Sequence, residues 1–292
     1  MFNETEIIEI NKEFNIRQAK RRHRNIKVWS IVLVVLIAVV VTLAILLQGI
    51  LNDAELGWII PTYGSMLIVG AAVGFIVSFF YKSKLPFKKY VLPTIYNKIN
   101  INEGTDYDCN STPSGVPFNR RGGLFVRYAT TVIRRHVKGT TADSIPMDIY
   151  DTKLYTSNKN STRTYFDGIY YVLNKDFNTN LQVRTEGKPS VKGTKFYQIE
   201  KYNNIKVYKP EGETVSSLDE EFIAYFNRIL KSPKVKSLFI SVVRNEVHLA
   251  LWTINPQGRA CKEITKTSLD ALYNYYVNEP KILDSLLDSI NY

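Results

Sequence analysis

The sequence predicts an α+β protein: a two-helix transmembrane hairpin, then a cytosolic domain in which helices pack on an antiparallel or mixed β-sheet. Three observations carry this. Residues 28–51 and 56–81 hold no charged side chain, and each run exceeds the roughly 20 residues that a helix needs to cross the hydrocarbon core. Further along, β-branched and aromatic residues alternate with polar ones in short segments bounded by turn residues. Interspersed with these are stretches whose apolar residues fall at helical spacing.

Taken in order, residues 1–27 read as a cytosolic amphipathic helix. Asn3 followed by Glu6 is a capping signature, and Ile7, Ile10 and Phe14 share one face. The helix is acidic at its start and basic at its end, which suits the macrodipole. It can rest on the bilayer, pack on the domain or simply extend the first span.

Residues 28–81 form the hairpin. A buried soluble helix does not stay uncharged on every face for this length, and a cleaved signal peptide has an apolar core of roughly 7–15 residues with a small-residue site after it. Gly70 and Gly74 make a G-x-x-x-G, which permits close packing on the neighbouring span and equally a homo-oligomer seam. Neither span holds an ionisable residue, which argues against an ion or proton path.

Basic residues set the orientation. "KRRHRNIK" precedes the first span and "KSKLPFKK" follows the second, while the turn between them, "NDAE", has two acids and no base. The positive-inside rule then puts both termini in the cytoplasm, with the protein in the inner membrane. Lys20, Arg21, Arg22, Arg24, Lys27, Lys82, Lys84, Lys88 and Lys89 are the residues expected against the anionic inner leaflet, at about 1 kcal/mol each.

The formal charge of +11 divides accordingly. Residues 1–27 contribute +3, residues 28–81 contribute −2 and residues 82–98 hold five lysines, leaving +5 over residues 99–292. Much of the basic excess is topological, so lipid is the expected counterpart before nucleic acid. Cys109 and Cys261, on the reducing side, read as free thiols without metal spacing.

Residues 82–101 continue as a basic juxtamembrane helix bent at Pro93, and residues 102–292 form the domain. "NEGTDYDCNSTPSGVPFNRRGG" reads as a long loop. "LFVRYATTVIRRHV" and "MDIYDTKLYT" read as strands. In "FDGIYYVLNKDF", Phe166, Tyr170 and Val172 share one strand face and Ile169, Tyr171 and Leu173 the other, so this strand belongs inside a sheet covered on both sides. "TNLQVRT" is its expected antiparallel return, and "FYQIEKYNNIKVYKP" supplies one or two strands more.

A helix capped by Ser217 follows, then a hairpin, "VKSLFISVV" with "EVHLALWTI". Two helical segments close the chain, the second started by Pro280. Tyr273, Tyr275 and Tyr276 cannot all be buried on one helix face, so one or two are expected exposed as a contact surface.

The chain resembles the bacterial membrane-protein family called domain of unknown function 3137. "FDGIYYVLNKDF", "YNNIKVY" and "FNRILKSPKVKSLFISVVRNEVHLALW" carry the resemblance, which extends over most of residues 5–290. It implies two early spans, a lysine-led juxtamembrane helix and a cytosolic α+β domain. After Tyr208, "KPEGETVSSLDEE" departs from the family pattern. The resemblance implies no activity.

Catalytic and nucleotide motifs are sparse. "YFDGIYYVLN" splits its aromatics between two faces, unlike an RNA-stacking platform. "NRRGGLF" places two arginines before a glycine pair but lacks the P-loop pattern, and a loop entering a strand explains it more simply. His23, His136 and His248 show no helical metal spacing. Arg120, Arg121, Arg127, Arg134 and Arg135 concentrate positive charge, which is either a solvated sheet face or a contact for an anionic partner. The expected function is a membrane-tethered binding, scaffold or regulatory protein with a protein partner, no cofactor and no nucleic acid. The alternative is a membrane-anchored enzyme with a site gathered near His136, Cys261 or the Arg-Gly-Gly loop.

Overall fold

The computed structural model describes residues 2–48, 59–80, 87–109, 121–125, 128–141, 144–175, 180–189, 194–202, 204–212, 220–231, 235–243, 245–253 and 264–288. They divide into two compact units, one of residues 3–91 and one of residues 1–2 with 92–292. The fold is α+β with an antiparallel sheet.

In the first unit, helix α1 (Glu4–Gln48) begins where the capping signature places it. The Asn3 amide donates to Glu6 Oε2 at 2.8 Å, and the Glu6 amide donates back to Asn3 Oδ1 at 2.8 Å. Among the described residues, this is the one helix long and apolar enough to cross a membrane. Helix α2 (Ile59–Phe80) contains a shorter apolar stretch, Gly64–Val73.

The two helices touch at Gly64, where an added Cβ would lie 2.6 Å from Val40 Cγ1. Gly70, by contrast, has nothing within 4 Å. The described close approach thus falls at Gly64, a glycine outside the G-x-x-x-G, while the surroundings of Gly74 lie outside the described residues. A π-helical turn (Phe87–Val91) ends the unit, and the Arg17 guanidinium sits 4.5 Å over the Tyr90 ring.

The second unit opens with helix α3 (Leu92–Glu103), whose Pro93 lies in the first turn, where a missing N–H breaks no helical bond. Eight strands follow: β1 (Thr130–Thr140), β2 (Pro146–Asn158), β3 (Ser161–Leu173), β4 (Leu181–Arg184), β5 (Phe196–Tyr202), β6 (Ile205–Pro210), β7 (Val235–Val243) and β8 (Glu246–Thr253). Helix α4 (Glu220–Leu230) precedes β7, and α5 (Lys266–Asp288) ends the described chain. The sheet order is β1-β2-β3-β8-β7-β4-β6-β5, with each neighbouring pair antiparallel.

β3 is an interior strand buried on both faces, with Phe166, Tyr170, Tyr171 and Leu173 at or below 1% exposure. Its neighbour corrects the expectation. "TNLQVRT" does not return along β3, because β8 occupies that edge from Ile169↔Leu251 to Leu173↔Val247, and β4 pairs with β6 and β7 instead. The four residues of β4 cannot match the long apolar run of β3, whereas β8, also apolar on both faces, can.

One sheet face carries the helices. Arg135, 1% exposed, hydrogen-bonds the Tyr96 hydroxyl of α3 and lies 4.5 Å over the Tyr276 ring of α5. Tyr96 and Tyr276 stack at 5.2 Å. Tyr273 and Tyr276, three apart, share the buried side of α5, and Tyr275 is half-buried, so only this one of the three is left partly open to solvent. The helix also runs through Pro280 without the expected break.

Gly168 makes the central pairing. A Cβ there would collide with the Leu251 carbonyl oxygen and stand 2.8 Å from the Thr253 amide nitrogen, both backbone atoms of β8. Gly168→Ala is expected to lower stability by about 3 kcal/mol or more, read as a drop in the thermal unfolding midpoint of the full chain in detergent. An unchanged midpoint would show that β8 does not approach so closely.

Candidate functional site

Among the described residues, a loop lies over the second sheet face. Residues 121–125, from the "NRRGGLF" segment, lie across it, and Leu124 and Phe125 join a buried cluster with Tyr150, Leu154, Phe166, Tyr170, Val172, Phe239 and Ala250. The glycine pair has two separate reasons. A Cβ on Gly122 would run into the His248 ring, and Gly123 has φ +63°. Two loop carbonyls turn onto the sheet: Gln182 Nε2 donates to Gly122 O at 3.4 Å, and Arg184 Nη2 donates to Leu124 O at 3.1 Å.

Beneath the loop, strand register aligns polar residues across the sheet. One row runs Lys138, Asp148, Val172, His248, Ser241, Gln182, Tyr208, and its neighbour runs His136, Tyr150, Tyr170, Ala250, Phe239, Arg184. Glu246 accepts from Arg121 Nη1 at 2.9 Å and from His248 Nε2 at 3.0 Å, so the His248 Nδ1 acceptor is left for the Tyr170 hydroxyl at 3.2 Å. Hydrogen bonding to His248 holds the Glu246 carboxyl below the ordinary carboxylate range. Burial pushes His248 below its ordinary value and the Tyr170 phenol well above its own.

The outcome is a neutral, hydrogen-bonded relay capped by an ion pair. His136, nearby on β1, stacks on Tyr150 at 4.4 Å with Nε2 at 2.7 Å from Asp148 Oδ1. Ser241 Oγ, buried beside His248 in the row, makes no hydrogen bond among the described residues.

Alongside lies a groove of about 680 Å³, lined by the 124–125 loop, β3, β7, β8 and the turn after β4. Its floor is buried: Leu124, Phe125, Phe239 and Arg184, the last 6% exposed. Its rim is exposed and basic, with Arg163, Lys188 and Lys236 against one carboxylate, Glu186, among the described residues. Lys236 Nζ stands 3.9 Å over the Trp252 ring, Arg163 is 5.2 Å over Tyr165, and Ser237 donates to Glu186 at 2.8 Å.

Arg184 is the unusual member. Its three hydrogen bonds go to neutral oxygens: Gln182 Oε1 at 3.0 Å, Leu124 O at 3.1 Å and Glu186 O at 3.3 Å. Phe239 lies under its guanidinium at 5.2 Å, and no carboxylate pairs with it among the described residues. Burial pushes its pKa down to about 10, which still leaves it charged at neutral pH. The Glu186 carboxylate offsets part of that burial penalty without pairing directly, and a buried charge with no direct ion pair is a candidate binding group.

The arginines singled out in the sequence take different places. Arg134 is the extra residue of a β1 bulge, pairing Asp151 at 2.6 Å and Asp167 at 2.5 Å. Arg135 is on the helix-covered face, Arg121 pairs with Glu246, and Arg120 and Arg127 lie outside the described residues. Of the basic residues near the spans, Lys20, Arg22, Arg24, Lys27, Lys88 and Lys89 are exposed, Arg21 is half-buried, and Lys82 and Lys84 lie outside the described residues.

Cys109 is half-buried with its thiol pushed up to about 11 by burial, which keeps it protonated at neutral pH; Cys261 lies outside the described residues. Among the described residues no three His, Cys, Asp or Glu side chains gather to hold a metal. The groove cations come from three separate segments, Arg163 in β3, Arg184 and Lys188 in β4 and the turn after it, and Lys236 in β7, so no sequence motif links them. The available signal was Gln182 and Arg184, polar residues alternating with Leu181 and Val183 in a strand too short to reach solvent on either side. No protein-family model matches the chain, and comparison with curated proteins and with solved structures finds no match either.

The relay has a pH consequence. His248 is held neutral in the fold, so on acidification the unfolded chain takes up the proton first, and stability falls as pH drops through about 6.5. Glu246, with its lowered carboxyl, adds a further loss only below its ordinary 4.5. The thermal midpoint should decline between pH 7.5 and 5.5, and His248→Gln should flatten that decline; an equal slope in both proteins would place the titration elsewhere.

Proposed function

We propose that this chain is a membrane-tethered binding protein, with two spans, both termini in the cytoplasm, and a cytosolic α+β domain that acts by holding a ligand or partner. The observation that carries the reading is the groove: a concave, basic site with a buried arginine that makes no direct carboxylate pair among the described residues, on a domain of full core size. The charge-free part of α1 after Lys27, the charge-free α2 and their close contact at Gly64 support a hairpin, and the exposed bases at 20, 22, 24, 27, 88 and 89 suit an anionic leaflet. Kinship with domain of unknown function 3137 belongs to the same reading and rests on the quoted segments.

The enzyme alternative has its nearest counterpart in Tyr170, His248 and Glu246. Both ring nitrogens of His248 are engaged and the residue is 0% exposed, which favours a structural relay over a working base. Impermeant-maleimide labelling tests the topology. A cysteine introduced as Asn52→Cys should label in intact cells, and one introduced as Lys159→Cys only after permeabilisation. The reverse pattern would invert the protein. In-cell crosslinking of the full chain should then capture a stoichiometric partner if the ligand is a protein; an empty capture moves the reading toward a small ligand.

A further inference from the structure

We propose that the groove between β3, β8, β7 and the turn after β4 binds the phosphate group of a small organic phosphate, with Arg184 at its floor and Arg163, Lys188 and Lys236 closing from the rim. The inference deepens the binding reading by naming the ligand's chemistry, and it does not depend on membrane orientation.

Charge argues first. Among the described residues of the groove, four cations meet one carboxylate, and Glu186 already accepts a hydrogen bond from Ser237. A carboxylate ligand would neutralise one positive charge, whereas a phosphate monoester carries about −1.5 to −2 at neutral pH and three acceptor oxygens. Three of the five N–H groups of Arg184 are spent on neutral oxygens, which fix the guanidinium plane and leave donors for an incoming anion. Those same bonds mean that no reorganisation is needed when the ligand arrives.

Shape argues next. At about 680 Å³ the groove exceeds what a bare anion fills and lies within the range of roughly 300–1,000 Å³ usual for small-molecule sites. The remainder is walled by Phe125, Tyr165 and Trp252, which suit an apolar or flat organic portion. The buried cation sits at the bottom of a concavity and not along an open track, which favours a small headgroup over an acidic peptide. The phosphate could belong to a soluble metabolite or to a lipid headgroup; the chemistry at Arg184 is the same.

Trp252 offers the readout, because Lys236 stands directly over its ring and a ligand that draws the ammonium away alters its emission. The full chain in detergent, with Trp29 and Trp58 replaced by Phe, is titrated with inorganic pyrophosphate and, separately, with dihexanoyl phosphatidic acid. Saturable binding of either probe is expected, weakened by raising the salt. Preference for pyrophosphate would indicate a soluble phosphate, and preference for the lipid a headgroup.

Arg163→Gln with Lys188→Gln, both at exposed positions, should weaken binding about tenfold without touching the buried floor or the Lys236–Trp252 pair that reports it. Arg184→Met should abolish it. Should that variant fail to fold, Arg184→Lys, which keeps the charge and loses the fork, should weaken binding by a similar factor. No saturable signal with either probe, or equal affinity in the rim double variant, would overturn the proposal. A crosslinked protein partner found alongside a negative titration would sink the groove alone and leave the wider binding reading standing.

Discussion

The pairing of β3 with β8 is the constraint on which the rest of the domain depends. Residues 169–173 meet residues 247–251, far apart along the chain, and among the described strands this is where the β1-β2-β3 meander joins the other five. Closing so long a loop is entropically unfavourable, so the contact must be strong to compensate. It is strong because both strands are apolar on both faces and because Gly168 lets the β8 backbone come close. Once the two strands are in register, the rows that cross the sheet are fixed as well, since a slip of one residue would move every side chain to the other face.

That register also explains the difference between the two faces. On the helix-covered face the buried Arg135 hydrogen-bonds the Tyr96 hydroxyl and lies over the Tyr276 ring, while Asp151, opposite it in the ladder, pairs with Arg134. The loop-covered face uses neutral relays, His248 with Tyr170 and Gln182 with a loop carbonyl, and pairs Arg121 with Glu246 at its edge. Arg184 alone in that row has carbonyl and amide oxygens around it where a carboxylate would be expected, and it is the residue that opens onto the groove. A fold that needed Arg184 only for stability would be better served by a packed apolar residue.

Much of the fold was legible in the sequence because periodicity reports burial. The capping pair Asn3 and Glu6, the two-faced apolar character of β3 and the β7-β8 hairpin all rest on local patterns, and local patterns survive folding. Strand neighbours did not follow from proximity: β4 pairs with β6 and β7, since an apolar run as long as β3 takes the partner that matches its length. The arginine-rich segment misled for a related reason. Adjacent Arg134 and Arg135 look like one basic patch, yet a bulge sends them to separate partners, and no composition argument can see a bulge. The glycine pair at 122–123 was read correctly as a turn, but its role in seating a loop on His248 required the tertiary contact.

The most direct test is hydrogen-exchange mass spectrometry on the full chain in detergent, with and without saturating pyrophosphate. Amides of residues 169–173 and 247–251 should exchange most slowly of all in the domain, and the anion should add protection at residues 121–125 and 184–189. If β3 and β8 exchange as fast as the turns, or if the added protection falls only on the basic segment at residues 20–27, then neither the central pairing nor the groove has the role assigned to it.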